Sequence, residues 1–160
     1  MSFGKMFADQ RKRFEKNLKR ARGIAGNSAV RHFRDSFRNE GFTDESLEKW
    51  AEVKRRIPGT LAYETATGAA RSRGILRGTG KMSKAVKVLQ SSEYKVVIGV
   101  EGIPYAPYHN FGAKWTQRSI FGRPLKKPIQ VEIPQRQFIG NSKKLENAIT
   151  ERLGEAWAQS

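Results

Sequence analysis

The sequence predicts an α+β fold, with a long N-terminal helix and a C-terminal helix packed on a small antiparallel β-sheet. Apolar residues recur every three or four positions over residues 5–39 and again over 142–157. Between them, residues 89–102 read as strand, turn and strand. At 160 residues the chain has the length of one domain with a real core, and residues 1–160 are taken as one.

The first helix carries Phe14, Leu18, Ala21, Ala25, Ala29, Phe33 and Phe37 on one stripe, with Lys and Arg on its other faces. The stripe places Phe14, Phe33 and Phe37 in the core. It keeps register across 22–28, although Gly23 and Gly26 each weaken a helix by about 1 kcal/mol. Two arrangements fit: one long helix kinked there, or two helices with the second capped by Asn27 or Ser28. Gly41 ends the helix. Thr43 and Ser46 then offer start signals for a short helix within 42–56 that carries Leu47, Trp50 and Val53, and Pro58-Gly59 closes it.

Residues 59–80 hold five glycines without a clear period and read as an exposed basic loop containing Arg71, Arg73 and Arg77. In the hairpin that follows, the turn falls on Ser91-Ser92-Glu93. The return strand, Tyr94 to Val100, is apolar or glycine at each position from 96 to 100, so it is expected to be central and covered on both faces. Residues 114–131 contain Lys114, Arg118, Arg123, Lys126 and Lys127 and no acid. They read as a projecting hairpin with arms near 115–120 and 125–131, turning at Gly122-Arg123-Pro124. Segments 59–80 and 114–131 are expected to be mobile in the free chain and ordered against neighbours. The final helix presents Leu145, Ala148, Ile149, Leu153, Ala156 and Trp157.

Composition narrows the chemistry. The chain has no cysteine and two histidines, which leaves disulfides and thiolate metal sites out and makes a His-rich zinc centre improbable. A formal net charge of +16 predicts attraction to polyanions or to acidic protein. The sequence contains no membrane-length apolar run and no secretory leader pattern, so the expected setting is cytoplasmic, without a membrane partner. Residues 78–83, GTGKMS, lack the P-loop pattern: Ile75 stands where its first glycine belongs, and Met82 follows Lys81 where a hydroxyl is needed. His109 as a general base lacks a nearby carboxylate in sequence, the nearest being Glu101 and Glu132. Asp44, Glu45, Glu48 and Glu52 cluster as a solvated helix face. No catalytic, cofactor-binding or metal-binding residue is assigned, and no cofactor is expected.

Several landmarks occur in a particular order. "FRNEGFTDESLEKW" joins the end of the first helix to a tryptophan, and "ILRGTGKMSKAVKV" leads through a small-residue turn into a strand. "YKVVIGVEGIPYAPYHNFGA" then carries a Tyr-Ala step, a histidine and Phe-Gly, and "IPQRQFIGNS" precedes the last helix. Over roughly residues 30–155 this order resembles the virion-morphogenesis proteins of Mu-like and related tailed phages and prophages, also described as tail-completion or head–tail joining proteins.

The resemblance implies a non-enzymatic structural protein that self-associates into a ring and contacts neighbouring neck or tail proteins. It also implies host cytoplasm during assembly and then the virion as the location. On this resemblance Tyr105, Ala106, His109, Phe111 and Gly112 fall on the family's central motif, and Pro134, Arg136, Phe138, Ile139 and Gly140 on its second. The strongly basic first helix and the acid-free segment 114–131 depart from the family pattern. Arg71, Arg73, Arg77, Lys114, Arg118, Arg123, Lys126 and Lys127 are the candidate residues for a protein interface or for transient non-specific contact with DNA. From the residues themselves, Pro104 and Pro107 stiffen the first motif, Tyr105 and Phe111 anchor it to the core, and His109 braces it by hydrogen bonding. The alternative reading is a non-specific DNA-binding or packaging protein.

Overall fold

A computed structural model describes residues 3–158. Helix α1 (Phe3–Asn39) runs without interruption through both glycines, which settles the choice between one helix and two. The residues that offered a second cap are used otherwise: Ser28 is buried and accepts a hydrogen bond from Arg152 Nη1 at 3.0 Å. Gly26 is needed for packing, because a Cβ there would sit 3.1 Å from Val88 Cγ2 and 3.5 Å from Val96 Cγ1. A β-hairpin crosses α1 at this point, and the bare glycine lets it approach. Gly23 faces open space.

The helix ends on Glu40 in the left-handed conformation, at φ 51°. The expected short helix over 42–56 is replaced by a small hairpin, β1 (Gly41–Thr43) against β2 (Leu47–Lys49), and a 3₁₀ turn at Lys54–Arg56. Tertiary contacts override the local start signals here. The Trp50 amide donates to Glu40 O at 2.8 Å and its indole to Gln137 O at 2.7 Å, while Phe42 is buried. A Cβ on Gly41 would lie 2.4 Å from Glu48 O, so only glycine lets the two strands close.

Residues 59–80 also differ from the expected loop. Thr60 and Thr67 cap two short helices, α2 (Leu61–Glu64) and α3 (Gly68–Ser72), and Ile75 is buried. The segment is stapled by two arginines. Arg55 donates to the carbonyls of Ala70, Arg73 and Gly74, and Arg56 to those of Arg71 and Arg73. Arg56 also meets the Glu40 carboxylate through both terminal nitrogens at 2.8 Å, and the Ile75 amide donates to the same carboxylate at 2.9 Å.

Helix α4 (Lys81–Ala85) leads into β3 (Val86–Ser91), which pairs antiparallel with β4 (Val96–Val100). The turn is closed by Ser92 N donating to Lys95 O at 2.8 Å, and Tyr94 lies in it, exposed, rather than in the strand. β4 is not central: among the described residues β3 is its one strand partner, and its side chains are half-buried against α1. After α5 (Ala106–Phe111), strands β5 (Ala113–Ile120) and β6 (Arg123–Ile133) form the projecting hairpin expected from the sequence. Its turn is Phe121-Gly122, both at positive φ, and Arg123 and Pro124 already pair within the ladder. The sheet is thus three separate two-stranded ladders, each too small to stand alone.

Helix α6 (Lys143–Ala158) packs along α1. Ser142 caps it by accepting from Leu145 N at 3.1 Å and donating to Thr43 O at 2.9 Å, while Asp44 Oδ1 accepts from Lys143 N at 2.7 Å. These bonds fix the start of α6 to the β1–β2 turn. The core lies under α1, where Phe37 meets Phe138 at 5.0 Å between ring centroids and Trp50 edge-on at 5.8 Å. Phe33, Ile75, Met82, Val86 and Leu145 complete it. Phe14, expected in the core, is 61% exposed, because α6 ends before reaching it. No helix among the described residues is long and apolar enough to cross a membrane.

Gly23→Ala is expected to stabilise the protein by about 0.5–1 kcal/mol, as for a glycine in an unobstructed helix interior. Gly26→Leu is expected to destabilise it by about 1–3 kcal/mol by displacing the β3–β4 hairpin. Urea unfolding monitored by circular dichroism measures both. The Arg56 guanidinium, with help from the Ile75 amide, holds the Glu40 carboxyl down at about 2 from its ordinary 4.5. The folded state therefore favours the ionised form, and this stabilisation is complete above about pH 4.5 and lost as pH falls towards 2. Glu40→Gln should cost about 2–3 kcal/mol at pH 7, below the ~3.4 kcal/mol that 1.36 kcal/mol per pKa unit gives for the whole shift, because both side chains of the pair keep some contact with water. The gap from the parent should close between pH 4.5 and 2 in urea titrations.

Candidate interaction surfaces

The first motif begins where β4 leaves α1. Gly102 turns at φ 70°, Pro107 opens α5 at its first turn, and Gly112 ends it at φ 75°. A Cβ on Gly112 would lie 3.1 Å from Gln135 N and 3.2 Å from Ile133 O, so glycine is required both by conformation and by the close passage of the chain after β6. The helix buries one narrow face, carrying Ala106 and Asn110, four residues apart. Tyr105 and Phe111 are 45% and 74% exposed, so they do not anchor the segment as expected.

Asn110 does that work. Its Oδ1 accepts from the amides of Phe138 and Ile139 at 2.9 and 3.0 Å, and its Nδ2 donates to Ile139 O at 3.2 Å. One side chain thereby satisfies three backbone groups of the second motif, where Phe138 is fully buried. Sequence reasoning missed Asn110, which sits between two more conspicuous residues. The available signal was a polar residue four positions after a small apolar one, on the buried side of a short helix.

His109 is not the hydrogen-bonding brace. Its Nδ1 is buried without a hydrogen-bond partner among the described residues, and its ring stands edge-on to Tyr105 at 6.1 Å. Burial pushes its pKa below the ordinary value, and the nearby Arg136 charge pushes it further down; both favour the neutral imidazole. The backbone carbonyl of His109 does join the motifs, accepting from Arg136 N at 2.7 Å. Arg136 is itself buried and directs Nε and Nη2 onto Ala51 O at 3.3 and 3.2 Å. Gly140 sits tightly against Gln137, and Pro134 is exposed. The two motifs thus meet and border an open apolar hollow of about 250 Å³, lined by Ile103, Pro104, Ala106, Phe111 and Ile139 among others.

The basic candidates divide by how the fold uses them. Arg71 is engaged internally: its guanidinium lies 4.2 Å over the Tyr63 ring and its Nε donates to Tyr63 O at 3.1 Å. The Arg73 side chain and Arg77 are exposed, while the Arg73 carbonyl serves the arginine staple. Lys114 pairs with Glu132 across the base of the projecting hairpin at 2.9 Å. Arg118, Arg123, Lys126 and Lys127 stand exposed along that hairpin, and none pairs with a carboxylate among the described residues. Phe121 at its tip is completely exposed. The described residues contain no group of three or more His, Asp or Glu positioned to hold a metal ion. No protein-family model, curated protein or solved structure matches the chain.

Asn110→Ala should destabilise the fold by about 2–3 kcal/mol, since it strips two amides of their acceptor, that of buried Phe138 among them, and leaves Ile139 O unpaired at a part-buried site. Tyr108→Ala, in the same helix but 55% exposed, should stay within about 0.5 kcal/mol. Urea midpoints of the two variants separate a buried polar clamp from a generally fragile segment.

Proposed function

We propose that this protein is a non-enzymatic structural subunit of a tailed phage or prophage, one that assembles with itself and joins or completes the tail. The observation that carries this reading is the β5–β6 hairpin. No side chain between residues 113 and 133 belongs to the core, yet the strands pair over nearly their whole length and end on a bare phenylalanine. A lone two-stranded hairpin is marginally stable in water, so a long one that contributes nothing to its own core is suited to packing against another molecule. Trp115, Ile120 and Ile129, each about two-fifths to one-half exposed, add apolar surface along it. The ordered landmarks that resemble virion-morphogenesis proteins support the same reading and supply the virion setting.

The basic surface favours a second reading, that of a non-specific DNA-binding or packaging protein. Arg118, Arg123, Lys126 and Lys127 form an acid-free exposed strip of the kind that follows a phosphate backbone. The placement of Phe121 favours assembly over DNA contact, because an apolar tip gains little from phosphate.

Sedimentation velocity on the purified chain, with mass spectrometry of purified particles from a producing host, tests the proposal. The parent should form closed oligomers and appear in particles. Phe121→Ser should remain monomeric with an unchanged urea midpoint. A parent that stays monomeric, is absent from particles and binds duplex DNA with a steep salt dependence would overturn the assembly reading in favour of the DNA reading.

A further inference from the structure

Helix α1 is about 55 Å long at 1.5 Å per residue, whereas α6 spans only about 24 Å of it. α6 runs antiparallel to α1, and its last turns reach the level of Asn17 and Ala21, where Leu153, Ala156 and Trp157 close over them. Arg20 Nη1 fixes that end by donating to Ala156 O at 3.3 Å. Residues 3–16 project beyond this point, and every one of them is exposed.

The projecting part is not a featureless polar helix. Phe3, Phe7 and Phe14 are 73%, 63% and 61% exposed and fall within about 40° of one another around the helix axis. Together with Gln10 they continue, at alternating spacings of four and three, the row Asn17, Ala21 and Ile24 that α6 covers. The seam that packs α6 therefore runs on, in register, past the end of α6. Met6, 46% exposed, lies beside this row and widens the exposed apolar arc to about 100°, the width of the stripe that a helix packs against a neighbour.

The flanks of the seam specify the partner's charge. Arg11 and Arg13 stand on either side of it, about 80° from the phenylalanine row, and Lys5, Lys12 and Lys16 cover the back. Residues 3–16 hold five basic residues and two acids. Of those acids, Glu15 is already paired with Arg11 at 2.9 Å. Two copies of this arm side by side would bring arginine to both rims of one seam. An acidic helix would meet arginine on both rims and offer apolar side chains to the phenylalanines.

We infer that residues 3–16 of α1 are a docking arm for an acidic α-helix of a different protein, which continues along α1 where α6 stops. This goes beyond the assembly role proposed above and does not depend on it. Phe7 and Phe14 supply the apolar contact, the net positive charge of the arm selects for an acidic partner, with Arg13 on one rim and Arg11 shared with Glu15 on the other, and Gln10 sets the register as a single polar position in the seam.

A synthetic peptide of about three heptads, with leucine at the seam positions and glutamate on both rims, is the probe. Its binding to the full chain is read by fluorescence anisotropy. Binding should be saturable, weaken with added salt and fall at least tenfold in Phe7→Ser/Phe14→Ser, with Phe14→Leu retaining most of it. Both phenylalanines are exposed, so the urea midpoint of the double variant should match the parent. No binding, or equal binding by the double variant, overturns the inference. Phenylalanine-dependent partitioning onto phosphatidylglycerol vesicles without peptide binding would reassign the arm to a lipid surface. A phenylalanine-dependent dimer in sedimentation equilibrium would reassign it to a second copy. Loss of Phe121-dependent assembly with peptide binding intact would sink the assembly role and leave the docking arm standing.

Discussion

The Glu40 carboxylate is the constraint on which most of the fold depends. It lies at the end of a long helix, in a backbone conformation that disfavours side chains, and it is held there from two directions. Arg56 grips both its oxygens, and the Ile75 amide donates to it from the far end of a segment that otherwise has little to bury. Its own carbonyl receives the Trp50 amide. One residue thus turns the chain out of α1, starts the β1–β2 hairpin, and draws residues 50–75 back against the body. The pair is part-buried, so removing either partner leaves the other charge with only water to compensate it.

The rest follows a related pattern, in which polar side chains tie irregular backbone to a small apolar centre. Arg55 and Arg56 gather the carbonyls of residues 70–74 and do the holding that a hydrophobic face would do in a longer helix. Asn110 does the same between the two motifs, and Ser142 with Asp44 does it for the start of α6. Each hairpin is a two-stranded unit with no sheet to join, so α1 acts as the spine against which β3–β4 and α6 find cover. Gly26 shows how close that contact is: the helix gives up a side chain so that Val88 and Val96 can reach it.

The parts of this architecture written in periodicity were legible from the sequence. Both long helices, the β3–β4 hairpin and the projecting β5–β6 hairpin follow from spacing and turn residues that act locally. What was not legible depends on partners far along the chain. Residues 42–56 have acceptable helix signals, and they lose because Trp50 is claimed by Gln137, 87 residues later. Residues 59–80 look loose because the arginines that organise them precede them in sequence. At the candidate surface, the conspicuous Tyr105, His109 and Phe111 drew attention, whereas Asn110 carries the contacts. Its role exists only once the second motif has folded back to within hydrogen-bonding distance. Phe14 failed in the opposite sense: its spacing was right, but helix periodicity does not tell how far a covering helix extends.

The charge distribution connects the two proposed interactions. Intramolecular pairing cannot absorb 31 lysines and arginines with 15 acids, and several of those acids, Glu40, Glu101 and Glu132 among them, already serve partners inside the chain. An assembly of identical copies multiplies the +16 of each subunit, and at physiological ionic strength repulsion reaches about 8 Å between exposed charges. Close packing of such subunits through the β5–β6 hairpin therefore requires that its basic side chains face outward, or that something acidic lie among them. Self-association and an acidic partner are, on this electrostatic ground, two halves of one requirement. A basic hairpin with an apolar tip would meet it by placing hydrophobic contact where copies touch, and a basic arm with an apolar seam would meet it by drawing in a neighbour of opposite sign.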